Sequence, residues 1–192
     1  MGETKSKSVW YLSKDCPQGL MFALQGEAER GQVLIASAFL DLGIEWCIRL
    51  KAKKEGAESI AKSLLGRNQP LGSFGARIDT ARAFGLINTQ EYRALDSIRK
   101  IRNDCAHKGF KIKLNNKTLV DHIRSISAYI DFHCVRDNLP IGKENPWLEL
   151  FRIRKISFES PSHQTFLLGS LLLHSRIGEI ITVFTGKEWG AS

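Results

Sequence analysis

A long apolar stretch, residues 27–53, limits the folds open to this chain more than any other feature. A helix that begins at Gln18 or Glu27 and ends near Lys53 would carry apolar side chains around much of its circumference. These side chains are Val33, Leu34, Ala38, Phe39, Leu40, Leu42, Ile44, Trp46, Cys47, Ile48 and Leu50. Such a helix has to be surrounded by other elements, so the pattern predicts a helix at the centre of a bundle or in a dimer interface.

Apolar residues that recur every three or four positions predict further helices along the chain. They cover residues 57–65, 74–84, 89–108, 118–136 and 163–185. Ser73 is suited to cap the helix that begins at Phe74, and Gly85 to end it. Residues 147–158 fit either a helix or a helix followed by a short strand. The sequence therefore predicts an all-α fold, a multi-helix bundle.

The polar and proline-containing segments divide the chain into three parts. Residues 1–18 are polar, contain Pro17 and predict a flexible N-terminal arm. Residues 19–139 form the predicted helical core domain. Pro140 and Pro146 bracket a linker, so residues 140–192 are predicted to be a C-terminal extension with one helix packing on the core.

The charge of the chain favours anionic partners. The 192 residues carry a formal charge of +8, and the pI is about 9.5. A net positive charge of this size favours binding to nucleic acid, although basic surfaces also increase solubility. The apolar run 166–173 is too short to span a bilayer and soon meets His174 and Arg176, so we expect no membrane partner.

The cysteines and histidines give no sign of a metal site. Cys16, Cys47, Cys105 and Cys134 are far apart and form no pair with metal-ligand spacing. With no secretory segment at the start of the chain, we expect reduced thiols, a cytoplasmic location and no bound metal. The sequence also lacks a phosphate-binding loop, a dinucleotide fingerprint and a nucleophile elbow. No cofactor is expected, and a conventional metabolic enzyme is disfavoured.

The end of the predicted helix 89–108 carries the most informative polar residues. On a helical wheel Arg102 falls between Leu95 and Ile98, at the edge of the apolar arc, while Asn103 and His107 share an adjacent polar face. A buried arginine needs a partner, because an unpaired buried charge is costly.

Two interpretations of this helix end stay open. In the first, Arg102 pairs with a carboxylate such as Asp79 or Asp96, and His107 caps the last carbonyls. In the second, Arg102, Asn103 and His107 line a cleft that binds phosphate or cleaves RNA. Histidine would then act as general acid and base, and arginine would stabilise phosphate charge.

Other basic residues near this helix end are candidates for binding. Arg77 could pair with Asp79 or Asp104, or line the same cleft as Arg102, and the structural role is favoured. The lysines that follow the helix could guide a phosphate backbone or form a solvated loop. The candidate binding residues are Arg77, Arg99, Arg102, Asn103, His107, Lys108, Lys111 and Lys113.

Residues 64–107 resemble the mannitol operon repressor family of bacterial regulators. The resemblance rests on three segments, and these are Asn68-Gln69-Pro70-Leu71-Gly72-Ser73-Phe74-Gly75-Ala76-Arg77-Ile78, Ala83-Phe84-Gly85-Leu86-Ile87, and Leu95-Asp96-Ser97-Ile98-Arg99-Lys100-Ile101-Arg102-Asn103-Asp104-Cys105-Ala106-His107. It implies an all-helical transcriptional regulator without a helix-turn-helix, which represses through another protein.

The same helix end also resembles the Arg-polar-x-x-x-His signature of HEPN-fold proteins. Many of these proteins are metal-independent endoribonucleases whose paired motifs meet at a dimer interface. Carried over, Arg102 and His107 would be catalytic, and Asn103 would support them. The fold alone does not guarantee this activity.

Two functional hypotheses follow, and an enzyme is the less favoured one. The first is a bacterial transcriptional regulator, a homodimer that acts mainly through contacts with a protein partner such as another regulator or an RNA polymerase-associated protein. The alternative is a HEPN-type endoribonuclease related to toxins or defence. Direct nucleic-acid binding through the basic surface is a third hypothesis, and it predicts a steep dependence on salt.

Overall fold

The computed structural model describes residues 16–66, 68–107 and 113–186. Within these ranges the chain forms helices α1 (Cys16–Leu24), α2 (Glu29–Lys54), α3 (Glu58–Leu64), α4 (Phe74–Ala83), α5 (Thr89–His107), α6 (Val120–Arg136), α7 (Pro146–Ile153) and α8 (Pro161–Thr185). Short 3-10 helices cover Lys117–Leu119 and Gly142–Glu144. The described residues contain no strand, so the predicted all-α fold is confirmed.

Side-chain caps set the start of several helices. Ser73 accepts a hydrogen bond from the Ala76 backbone N–H at 3.2 Å, as predicted. Asn88 caps α5, and Glu91 accepts from the Asn88 N–H at 2.7 Å in return. After α4 the backbone turns at Gly85, whose φ of +67° suits a residue without a β-carbon. These local signals are the reason that helix boundaries follow from the sequence.

The core is built around α2 and α8, which pack side by side over most of their length. Phe39 of α2 meets His174 of α8 edge to face at 5.9 Å, and Gly43 lies against Ile177, so the two helices run in the same direction. Helix α5 runs the opposite way, because Arg30 near the start of α2 donates to the carbonyl of Cys105 near the end of α5 at 2.9 Å.

Helix α6 completes a four-helix core, and three of the shorter helices pack on α2. Helix α6 packs on α5 and α8, while α1, α3 and α4 each pack on α2. The central position predicted for the long apolar helix is confirmed. Of the two predicted starts, Glu27 lies close to the observed start of α2 and Gln18 lies in the separate helix α1, because the chain turns at residues 25–28, where Gly26 has a φ of +80°.

The region beyond residue 139 contributes to the centre of the fold. Helix α8 is long and apolar enough to cross a membrane by length and composition, but 72% of its most apolar window is buried inside the protein. It is the core helix against which α2 and α6 pack. Residues 147–158 form all of α7 but its first residue, followed by irregular backbone, and Phe151 and Phe158 meet edge to face at 5.3 Å.

A buried ion pair joins α5 to α8. Glu91 is 1% exposed and accepts a hydrogen bond from Arg176 Nε at 2.9 Å. Arg176 also pairs with Glu179 on its own helix at 2.9 Å. Since a buried carboxylate without a partner would be costly, this pair fixes the position of α8 relative to the start of α5.

Candidate functional site

The last two turns of α5 are solvent-exposed on the side that carries Arg102. Arg102 is exposed and donates from Nη1 to Asn103 Oδ1 at 3.0 Å. His107 is also exposed, at the end of the helix. The interpretation that Arg102 points into an apolar seam and pairs there with a carboxylate is therefore wrong. We call Arg99, Arg102, Asn103 and His107 the motif surface.

The end of a neighbouring helix explains why Arg102 is exposed. Helices α4 and α5 are antiparallel: Gly75 of α4 lies against the Arg99 side chain, and Asp79 accepts from Tyr92 Oη at 2.9 Å. Helix α4 begins at Phe74, opposite Arg99. One turn further along α5 no part of α4 remains to cover Arg102, so a residue at the edge of the apolar arc is exposed to solvent.

The carboxylates proposed as partners of Arg102 are engaged elsewhere. Asp96 pairs with Arg99 at 2.6 Å and with Lys100 at 2.8 Å. Asp79 accepts the hydrogen bond from Tyr92. These pairs form along α5 or between α4 and α5. Arg102 instead donates a hydrogen bond to its neighbour Asn103.

Arg77 lies in a buried ion-pair network between α4 and α2. It is 9% exposed and pairs with Asp41 at 2.7 Å and Glu45 at 2.9 Å. It also donates to the carbonyls of Leu71 and Leu65 at 3.0 and 3.4 Å. The structural role favoured for Arg77 matches this geometry, but the predicted partners Asp79 and Asp104 were wrong.

Asp41 links this network to the motif surface. Burial raises the pKa of Asp41, while the cations Arg77 and Arg102 oppose that rise. Arg77 and Arg102 therefore influence the same carboxylate. One feature of the sequence indicates this arrangement, since Asp41 and Glu45 are four residues apart and share a side of α2.

The basic loop after α5 is described from residue 113 onwards. Lys113 is exposed and pairs with Glu159 at 3.3 Å, while the next backbone N–H, that of Leu114, donates to the buried Glu29 at 2.5 Å. Burial raises the pKa of Glu29. Lys113 is thus held at the end of the bundle where α2 begins and α5 ends. The candidates Lys108 and Lys111 lie outside the described residues.

Cys47, Cys105 and Cys134 are buried and poorly suited to nucleophilic or redox chemistry. Burial raises the pKa of Cys47 to about 12 and that of Cys105 to about 11. A thiol reacts as its thiolate, which these environments disfavour. Within the described ranges no group of three or more His, Cys, Asp or Glu side chains is placed to hold a metal ion.

A cleft between α2 and α3 was not identified from the sequence. Its volume is about 440 Å³. It is lined by Leu42, Glu45, Trp46, Arg49, Leu50, Lys53, Glu58 and Ala61. The apolar residues around α2 could have indicated this cleft. Leu42, Trp46 and Leu50 lie on a side of that helix that the described bundle covers only in part.

Comparison with solved structures reveals a similar fold. A chain in the X-ray structure of the MtlR–HPr complex from Escherichia coli aligns with a TM-score of 0.54 and 18% sequence identity. The alignment covers 84% of this chain and 98% of that chain. The fold is MtlR-like. No model of a protein family matches the chain, and no curated protein sequence matches it.

Proposed function

We propose that this protein is a transcriptional regulator of the mannitol operon repressor kind that acts by binding a protein partner, HPr or a protein similar to it. The observation that carries the proposal is the similarity of fold, over 84% of the chain, to a chain from a complex that contains HPr. The sequence resemblance of residues 64–107 to the same kind of regulator supports it independently.

The motif surface is the proposed docking site for the partner. Arg102 and His107 are exposed, and Arg99 is partly exposed beside them. Arginine is enriched among the residues that dominate binding energy at protein interfaces, because its planar guanidinium combines apolar contact with several hydrogen bonds. Lys113 at the same end of the bundle would extend the surface.

Calorimetric titration with purified Escherichia coli HPr as the probe tests this proposal. Wild type should bind, and Arg102→Ala should weaken binding roughly tenfold, as expected for an interface arginine. The matched control is Arg124→Ala, which removes an exposed arginine of α6 paired with Asp121 at 2.9 Å. Absence of binding by folded wild type, or an equal loss in both variants, would overturn the proposal.

A second candidate function is metal-independent RNA cleavage. The exposure of Arg102 and His107 favours it, because an arginine that was buried and paired with a carboxylate would be unable to reach a phosphate. Labelled single-stranded and transfer RNA should then be cleaved in the presence of EDTA by wild type, and by neither Arg102→Ala nor His107→Ala. Circular dichroism would establish that both variants are folded. Intact RNA with all three proteins would exclude this function.

A further inference from the structure

The cleft between α2 and α3 has the size and the lining of a site for a small molecule. Its volume of about 440 Å³ falls in the range of ligand pockets, roughly 300–1,000 Å³. One wall is a single side of α2, because Leu42, Trp46 and Leu50 follow one another at four-residue steps. The opposite wall includes Ala61 of α3, which is buried and small. Each wall therefore presents apolar side chains to the cleft.

A tight turn between the two helices creates this cleft. Helix α2 ends at Lys54, and α3 begins at Glu58. Within the turn Gly56 has a φ of +70°, and the Ala57 N–H donates to the carbonyl of Ala52 at 2.8 Å. Helix α3 is thereby folded back on α2, against which it packs. Because α3 is only seven residues long, it covers part of this side of α2 and leaves the cleft accessible to solvent.

Trp46 supplies the main aromatic surface of the cleft. Its side chain is half-buried, and none of the described residues accepts a hydrogen bond from its indole N–H. An indole left half-exposed in a concave surface is stabilised when a second ring covers it, because apolar area leaves water and two aromatic rings stack favourably. The cleft therefore favours a ligand that carries an aromatic group.

Three of the charged side chains that line the cleft have the capacity to bind a ligand. Glu45 does not, since Arg49 and Arg77 pair with its two oxygens at 2.7 and 2.9 Å. Arg49 uses Nε and Nη2 in that contact, so its Nη1 can donate to another acceptor. Lys53 and Glu58 are exposed, and neither forms an ion pair with another of the described residues.

These available charges define the polar part of the ligand. Lys53 and Nη1 of Arg49 are donors suited to a carboxylate, and Glu58 is an acceptor suited to an ammonium group. A ligand with only one of these charges would leave the opposite side chain without a partner. A ligand with both is neutral overall, which matches a lining of two basic and two acidic side chains. The α-ammonium and α-carboxylate groups of a free amino acid provide both charges on one carbon atom.

We propose that the cleft between α2 and α3 binds a free amino acid with an aromatic side chain. The ring of the ligand lies against Trp46 and Leu50. Its carboxylate contacts Lys53 and Arg49, and its ammonium group contacts Glu58. The inference does not depend on the proposed function, because the cleft and the motif surface are separate sets of residues.

Titrations followed by NMR test this proposal, with L-tryptophan, indole-3-propionate and tryptamine as probes. The three share the indole ring, but the second lacks the ammonium group and the third lacks the carboxylate. In proton–nitrogen spectra of the labelled full-length protein, L-tryptophan should shift the indole N–H signal of Trp46, assigned with Trp46→Phe, in a saturable manner. Each of the other two probes should bind roughly fivefold more weakly, because one charged contact is lost.

Two substitutions should change the affinities for the probes in different ways. Lys53→Gln should weaken binding of L-tryptophan and indole-3-propionate roughly fivefold, but not binding of tryptamine. Glu58→Gln should weaken binding of L-tryptophan and tryptamine by a similar factor, but not binding of indole-3-propionate. Lys62→Gln and Glu144→Gln are the matched controls, because both residues are exposed and lie outside the cleft lining. They should leave all three affinities unchanged.

Three results would overturn the proposal. Absence of a saturable shift at Trp46 in the folded wild-type protein would mean that the cleft does not bind an aromatic amino acid. Indole-3-propionate or tryptamine binding as tightly as L-tryptophan would mean that the cleft does not recognise both charges. Equal effects of Lys53→Gln and Lys62→Gln would mean that the probes bind elsewhere. The backbone signals of the same spectra establish that each variant is folded.

Discussion

At the scale of single residues, Arg77 is the main stabilising side chain on the polar side of α2. We expect its loss to lower the free energy of unfolding more than the loss of any other side chain there. Its guanidinium neutralises both Asp41 and Glu45 and satisfies two backbone carbonyls. Arg77→Leu would leave two adjacent carboxylates without their shared cation. Because Asp41 and Glu45 are partly solvated, we expect a loss of roughly 2–4 kcal/mol in the free energy of unfolding, measured by urea denaturation.

Two comparisons make the Arg77 prediction specific. Arg77→Lys keeps the charge but not the planar fork, so it should recover only part of the loss. Arg124→Ala removes an ion pair whose side chains are 74% and 89% exposed, and its effect should stay within about 0.5 kcal/mol. An Arg77→Leu variant as stable as Arg124→Ala would contradict the role given to the network.

Arg102 shows where reasoning from single residues reaches its limit. The helical wheel placed it at the edge of the apolar arc of α5, and the arc itself is correct, since Leu95, Ile98, Ile101 and Cys105 are buried. Whether a residue in that arc is covered depends on where the neighbouring helix begins. The start of α4 at Phe74 decides this, and no local pattern in α5 contains that information.

At the scale of helices, two glycines allow the central elements to approach closely. A β-carbon at Gly169 of α8 would lie 2.3 Å from Ile126 Cγ2 of α6, and one at Gly43 of α2 would lie 2.8 Å from Ile177 Cγ2 of α8. A branched isoleucine has little freedom to move aside. Gly169→Ala should therefore destabilise the fold by about 1–3 kcal/mol despite the better helix propensity of alanine, and Gly43→Ala should cost less.

Gly19 in α1 provides the matched control. It lies within a helix, and a β-carbon there would meet nothing within 4 Å. Gly19→Ala should stabilise the protein by roughly 0.5–1 kcal/mol, because it gains helix propensity without a clash. Thermal unfolding of the three variants checks the order. A Gly169→Ala variant more stable than wild type would contradict the close packing of α6 on α8.

Helices were predictable from the sequence to the extent that their signals are local. Periodic apolar residues identified α4 and α5, and the cap Ser73 marked the start of α4. The arrangement of the helices was less accessible. Helix α8 belongs to the predicted C-terminal extension, yet it is the main packing partner of α2. The contact depends on Gly43 facing Ile177, more than a hundred residues away in sequence, which no periodicity within either segment encodes.

At the scale of the whole molecule, buried histidines should make the fold sensitive to mild acid. Burial lowers the pKa of His174 to about 4, and it also lowers the pKa values of His133 and His163. Unfolded histidine takes up its proton near pH 6.5, whereas the buried rings stay neutral to lower pH. The unfolded state therefore binds more protons as the pH falls from about 6.5 towards 4, and stability is lost over that window.

His174 should account for a large share of this dependence. Between pH 7 and pH 4.5 the lowered pKa of His174 corresponds to about 2 kcal/mol of lost stability, so His174→Gln should flatten the pH profile by that amount, whatever its stability at pH 7. Phe39→Leu is the control, because it weakens the packing around the imidazole but keeps the titrating group, and its profile should stay parallel to that of wild type. Urea unfolding at half-unit pH intervals measures all three profiles. A His174→Gln profile parallel to that of wild type would mean that the acid sensitivity comes from His133, His163 or the carboxylates instead.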